Sequence, residues 1–195
     1  ITRKAFWNLH VPGCDEHYLV HKMRNHPDFC RELAFVAELD GKVTGNIMYT
    51  RSKVIADDGT EIDTLTFGPL SVLPEYQRRG IGSALIRHTV DLVDSQRYPA
   101  IIIFGNPGNY IKHGFVAGKR LGIGLPGEVY PTAMLVLPLN PEVFAGKKWV
   151  FAESDVFHLD QVEAEAFDRL FPAMKKEYRF TQEEFFILSN SIMRN

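Results

Sequence analysis

The chain has 195 residues, 45% hydrophobic and 24% charged, with a formal net charge of -2. That size holds one sizeable domain or a domain with an appendage, and the near-neutral balance argues against a general nucleic-acid binder. Two cysteines, Cys14 and Cys30, make no disulfide framework; with no apolar run near the roughly 18 residues of a membrane span and no signal-peptide pattern at the start, the expected compartment is the cytoplasm.

Residues 15–25 space Tyr18, Leu19 and Met23 at helical intervals, with Asp15 as N-cap. Residues 33–39 and a return strand from about Lys42 to Ile55 flank Asp40-Gly41, a two-residue hairpin signal, and Gly45 marks a bulge. A turn at 57–60 leads into a third strand from about Glu61 to Val72. At Gly80 the texture changes. Ile81, Ala84, Leu85, His88 and Leu92 recur at the helix period, which puts His88 in the packed stripe. Residues 100–104, Ala-Ile-Ile-Ile-Phe, read as a strand covered on both faces. Strand, helix and strand at this spacing make a crossover between parallel strands, so the sheet is mixed. A loop with one or two helical turns follows, ended by Gly114; 118–127 is a loop and 133–137 a strand. Beyond Pro138, residues 148–151 suit a strand, and 159–170 and the capping-box stretch 181–184 suit helices. The chain divides into a core, 1–138, and a C-terminal extension, 139–195, packed on the same domain.

The most informative stretch runs from Phe67 to Ser83: an apolar strand, a short turn, then a Gly-spaced loop opening a helix. Such a junction aims backbone N–H groups at one spot where the helix dipole also favours negative charge, which suits a phosphate-bearing ligand. It is no Walker loop, because the Lys-Ser/Thr pair is missing, and no dinucleotide fingerprint, because the third glycine is absent. A bare Gly-x-Gly is weak; the flanking residues sharpen it. Gly68-Pro69-Leu70-Ser71-Val72, then Pro74-Glu75-Tyr76-Gln77-Arg78-Arg79-Gly80-Ile81-Gly82-Ser83-Ala84-Leu85, closely resembles the acetyl-CoA-binding motif of the GNAT superfamily of N-acetyltransferases. Gly105-Asn106-Pro107 through Tyr110 to Gly114-Phe115 resembles the family's segment after the next strand. The two matches cover 67–115, with departures at Asn109 and Lys112-His113.

The resemblance implies an α/β (α+β) fold: a mixed, mostly antiparallel central sheet with a splayed parallel strand pair, flanked by helices. It implies that Gln77, Gly80 and Gly82, with Arg78, Arg79, Ile81 and Ser83, cradle the CoA pyrophosphate. Leu70, Ser71 and Val72 would hold the pantetheine arm and supply an oxyanion donor, with Asn106 also beside the cofactor. Tyr110 would be the general acid, since a phenol of pKa about 10 can protonate a departing thiolate. Acetyl-CoA is the implied co-substrate, without a metal. A primary amine, either a small molecule or an exposed amino group of a peptide or protein, would attack it directly in a ternary complex. No nucleic acid or membrane is expected as a partner.

Other residues leave alternatives open. Glu61, Asp63 or a histidine of the first helix are candidate bases. His10, Cys14, His17 and His21 have zinc-compatible types and spacing, but also suit walls of an acceptor pocket or ordinary packing. His113 suits a place near the thioester or the surface. Lys112, Lys119 and Arg120 are phosphate contacts or solvated charges. The apolar run 185–188 suggests a homodimer contact. A non-catalytic acyl-CoA sensor of the same fold is the alternative to the enzyme; a phosphotransferase is disfavoured by the missing Lys-Ser/Thr.

Overall fold

The computed structural model describes residues 1–194. In chain order its elements are α1 (Thr2–Phe6), α2 (Glu16–Met23), β1 (Phe29–Leu39), β2 (Lys42–Ala56), β3 (Glu61–Phe67), β4 (Ser71–Val72) and α3 (Ile81–Val90). There follow β5 (Ala100–Phe104), α4 (Pro107–Tyr110), β6 (Val116–Ala117), β7 (Ile123–Gly124), β8 (Met134–Pro138), β9 (Trp149–Ala152), α5 (Gln161–Asp168) and α6 (Phe180–Ser189).

β2 is the spine. Its 15 residues are rich in β-branched and aromatic types, long enough to take two partners on each edge. On one edge β1 pairs with its first half and β9 with its last four residues; on the other, β4 pairs with Gly45 and Asn46 and β3 with residues 49–55. All four pairings are antiparallel. β5 joins β3 in parallel through Leu65 and Ile101, β8 and β6 extend the sheet antiparallel, and β7 runs parallel to β9. The mixed sheet expected from the sequence is present.

The strand expected over 61–72 is two strands. Tyr49 lies opposite Phe67 and Asn46 opposite Ser71, so three steps on β2 face four on its partner. One extra residue therefore bulges at 68–70, where Pro69 has no N–H to give the ladder. The bulge expected at Gly45 falls one residue earlier, at Thr44, between the pairs Glu38–Val43 and Ala37–Gly45. Gly45 has another role. A Cβ there would lie 3.0 Å from the Ser71 carbonyl oxygen and 3.2 Å from Ile81 Cγ2, so β4 and α3 close on the spine only over a glycine.

Both faces of the sheet are covered. α3 drives Leu85 and Ile86 into a core with Tyr49, Leu65, Ile101 and Ile103. On the other face α2 sets Leu19, Val20 and Met23 on Met48, while Ile102 and Met134 pack with Phe144 and Trp149 further along. His88 is not in the core. α3 is rotated so that Thr89 is buried, its hydroxyl 2.8 Å from that of Tyr49, and His88 sits exposed, edge-on to Phe35.

α1 was not legible in the sequence. Asp15 occupies the N-cap position of α2, yet its side chain accepts from Gln161 Nε2 (3.0 Å) instead of capping. The 148–151 strand is present as β9, and Asp160 caps α5 by accepting from the Glu163 N–H. The capping box at 181–184 is absent: Thr181 lies inside α6, and its hydroxyl donates to the Leu9 carbonyl (2.9 Å). Arg3 binds Asp168 at 2.6 Å and Trp7 Nε1 donates to the Lys175 carbonyl, so the C-terminal part of the chain is fastened to the first helix. Among the described residues no helix is long and apolar enough to cross a membrane.

Gly45→Ala should cost about 1–3 kcal/mol, the usual penalty for overpacking. Urea unfolding monitored by circular dichroism checks it; an unchanged midpoint would refute the close approach.

Candidate active site

The bulge opens one edge of the sheet. Leu73 N–H donates to the Thr44 carbonyl (2.8 Å), so Ser71 and Leu73 turn their backbone groups toward β2. By alternation Leu70 and Val72 turn theirs away from it. β5 follows β3 and does not pair with β4, so that side is an open wedge. The Val72 carbonyl there accepts from Gln77 Nε2 (3.1 Å).

Beside the wedge the chain turns into α3. Arg78 and Gly80 both take left-handed backbone angles, φ 61 and 84. The first amide with an acceptor is that of Ala84, bonded to the Gly80 carbonyl at 2.9 Å. The amides from Arg78 to Ser83 have no acceptor among the described residues and stand exposed or half-exposed. Six consecutive free N–H groups at a helix start suit an anion. Arg78 and Arg79 flank it without a carboxylate partner among the described residues. A Cβ on Gly82 would lie 3.7 Å from Leu70 Cδ2, which places this loop directly over the residues of the open edge.

Across the wedge stands Tyr110. Asn106 caps the short α4 by accepting from the Gly108 N–H (2.9 Å), and this holds Tyr110 against Phe67 and Phe115, ring centroids 6.0 and 5.7 Å away. Gly105 makes room for it: a Cβ there would fall 2.5 Å from the Tyr110 ring. Burial pushes the phenol up to about 12, so it is a proton donor at neutral pH and not a base. Ser83 Oγ lies 3.2 Å from His113 Nε2, tying the anion loop to the Tyr110 segment. Burial, then Lys112 and Arg87, push His113 below its ordinary value, which favours the neutral ring.

A family model described as the Acetyltransferase (GNAT) family matches residues 3–122. The chain belongs to that family. A curated relative, the uncharacterized N-acetyltransferase YjhQ of Escherichia coli (strain K12), is 30% identical over 83 residues, covering 43% of this chain and 45% of YjhQ. The match thus spans under half of that relative. Among solved structures, the GNAT family N-acetyltransferase YhbS from Escherichia coli, in complex with CoA, superposes with a TM-score of 0.65 at 22% identity, covering 80% of this chain and 84% of YhbS. A GNAT family acetyltransferase from Brucella melitensis, in complex with acetyl-CoA, gives 0.56 at 25% identity, covering 80% and 86%.

In this GNAT chain Leu70, Val72, Gln77 to Ser83 and Tyr110 gather around the wedge. Other residues singled out in the sequence are otherwise occupied. The Ser71 hydroxyl donates to that of Thr2 (3.1 Å), and the Asn106 side chain is spent on its cap. Glu61 binds Lys53 (2.9 Å) at the far end of β3, and exposed Asp63 stands seven residues from Leu70, about 20 Å at strand rise. Neither reaches the wedge. Lys119 donates to the Arg194 carbonyl, Lys112 is exposed, and Arg120 lines a separate hollow with Phe144 and Lys147.

The histidines and Cys14 do not converge on one point. His10 pairs with Glu16 (3.2 Å) and stacks on Phe185, Cys14 Sγ lies 3.5 Å from His17 Nδ1, and His21 stacks on Phe167. Among the described residues the only His, Cys or acid group close enough to share an ion is His26, Asp28 and Asp155, which the sequence did not suggest. There His26 Nε2 contacts Asp155 (2.8 Å) and Arg51 stands beside Asp28 (3.5 Å), so the group is already charge-paired. Both thiols are free and buried, and burial pushes Cys14 up to about 12 and Cys30 to about 11. Neither is a thiolate at neutral pH. His17 and His21 do line a cavity of about 450 Å³ between α1, α2, β1 and α5.

Gly105→Ala should dislodge Tyr110 and return its phenol from about 12 toward the ordinary value near 10. A difference ultraviolet titration against the parent protein checks this; identical titrations would refute the contact.

Proposed function

We propose that the chain transfers the acetyl group of acetyl-CoA to a primary amine by direct attack in a ternary complex. One observation carries the reading: six free amides at 78–83 adjoin an open strand edge, with a half-buried, protonated phenol on the other side. The diphosphate of the coenzyme would take the amides, with Arg78 and Arg79 beside it. The pantetheine arm would run along Leu70 to Val72 as an added strand. The Leu70 and Val72 amides, turned into the wedge, are the donors for the thioester oxygen, an effect worth about 3 kcal/mol.

The amine attacks as its free base. The new C–N bond forms as the C–S bond breaks, Tyr110 gives its proton to the departing thiolate, and the amine's surplus proton, passed through solvent, restores the Tyr110 phenol. No acyl-enzyme is needed, which agrees with two buried, protonated thiols. The CoA and acetyl-CoA held by the two solved relatives support the donor. We further read residues 139–195 as one unit with the core, walling the acceptor side, because β9 enters the main sheet and α5 lines the cavity. The acceptor is a small-molecule amine or an exposed amino group.

Calorimetry should detect both CoA and acetyl-CoA, and Tyr110→Phe should lower turnover about 10²-fold or more while acetyl-CoA binding stays within about twofold. Unchanged turnover removes Tyr110 from its role. Binding without release of CoA across an amine panel would identify a sensor and not an enzyme. The exposed Phe180, Phe186 and Ile187 of α6 support a homodimer contact; light scattering that returns a monomer at high concentration refutes it.

A further inference from the structure

The cavity beside α2 has a chemistry that narrows the acceptor. Its floor is Asn46, Ile47 and Met48 of β2. Asn46 is opposite Ser71, and the Met48 carbonyl accepts from the Gly68 N–H (3.1 Å), so the floor lies one strand, about 5 Å, from the bulged edge. A ligand on that floor can present an atom to the wedge. Phe29, Phe167 and Phe171 supply apolar walls.

The fixed charges of the lining are both cationic, Arg3 and Arg24. Arg3, His17, His21 and Arg24 line the cavity, and no Asp or Glu does. Arg3 is neutralised by Asp168 at 2.6 Å. Arg24 is exposed at the rim with no carboxylate partner among the described residues. His17 is 7% exposed, and its Nε2 stands 3.1 Å from Asp168 Oδ1 without the alignment of a hydrogen bond, so this buried nitrogen is unpartnered. Sealed from the cavity and facing Asp168, it offers a ligand no hydrogen bond, which leaves Arg24 as the arginine of the lining available to a ligand.

We propose that the acceptor is a primary amine that also bears a carboxylate. The carboxylate sits against Arg24 at the rim, an aromatic or aliphatic body packs between Phe29 and Phe167, and the amine points to the bulge at 68–70. This rests on the acetyltransferase reading above and adds the acceptor's charge to it.

The test uses matched pairs differing only in charge: 4-(aminomethyl)benzoate against 4-(aminomethyl)benzamide, and 6-aminohexanoate against 6-aminohexanamide. Each is titrated by calorimetry into the CoA-saturated protein and assayed for CoA release from acetyl-CoA. In at least one pair the carboxylate should bind, and be turned over in kcat/KM, about tenfold better, the size of one charge-assisted contact. Arg24→Gln should erase that preference. Arg31→Gln, an equal charge change at an exposed position of β1 outside the cavity, should keep it. Equal behaviour within both pairs, no binding of any member, or a preference that survives Arg24→Gln overturns the inference. CoA uptake is measured first and alone. A protein that takes up CoA but shows no charge preference loses only this inference; one that takes up no CoA loses the acetyltransferase reading and this inference with it.

Discussion

One inserted residue decides which backbone groups of this sheet are available. Along β3 the even-numbered residues face β2 and the odd ones face β5, as the Gly68 bond to Met48 and the Leu65–Ile101 pair show. After the bulge the parity is exchanged: Ser71 and Leu73 face β2, and Leu70 and Val72 face outward. The slip also turns side chains over, because face and edge alternate together in a strand. Ser71 thereby reaches Thr2 of α1, while Leu70 and Val72 lie under the loop at Gly82. The wedge, the seat of α1 and the floor of the anion loop all follow from that exchange.

The candidate anion loop offers peptide dipoles more than charged side chains. Fixed amides need no ordering of long side chains, and they suit a protein whose formal charge is only -2. The neighbouring phenol, protonated at neutral pH in any case, is pushed further up by burial, with no carboxylate or cation acting on it. Both devices depend on glycines at fixed places, Gly80 for a left-handed turn and Gly105 for a ring that covers its Cα.

Sequence reading located these features unevenly, for physical reasons. The loop 77–83 and the Tyr110 segment were legible through their resemblance to the GNAT motifs, whose glycines the left-handed turn at Gly80 and the ring contact at Gly105 require. The hairpin at Asp40-Gly41 and the apolar run of β5 were legible because local rules fix them. The break at 68–70 was marked only by Gly68-Pro69, a breaker pair that the single-strand reading of 61–72 ran across. α1 is five residues long, too short for a periodic signal. His88 was misplaced because a hydroxyl can be buried at Thr89 once Tyr49 is there to meet it, a pairing 40 residues apart. The cavity beside α2 draws on α1, α2, β1, β2 and α5, and no local pattern records such a gathering.

The double partnering of β2 also sets an order of assembly. Its first half can zip onto β1 through the hairpin almost as soon as both exist, but its last four residues wait for β9. A ribosome must therefore deliver residue 152 before the spine gains its final neighbour, and the segment from Lys53 to Ala56 stays an unpaired edge until then. Contacts so distant in sequence slow the search for the native state. During synthesis this stretch of β2 is open to pairing with another strand.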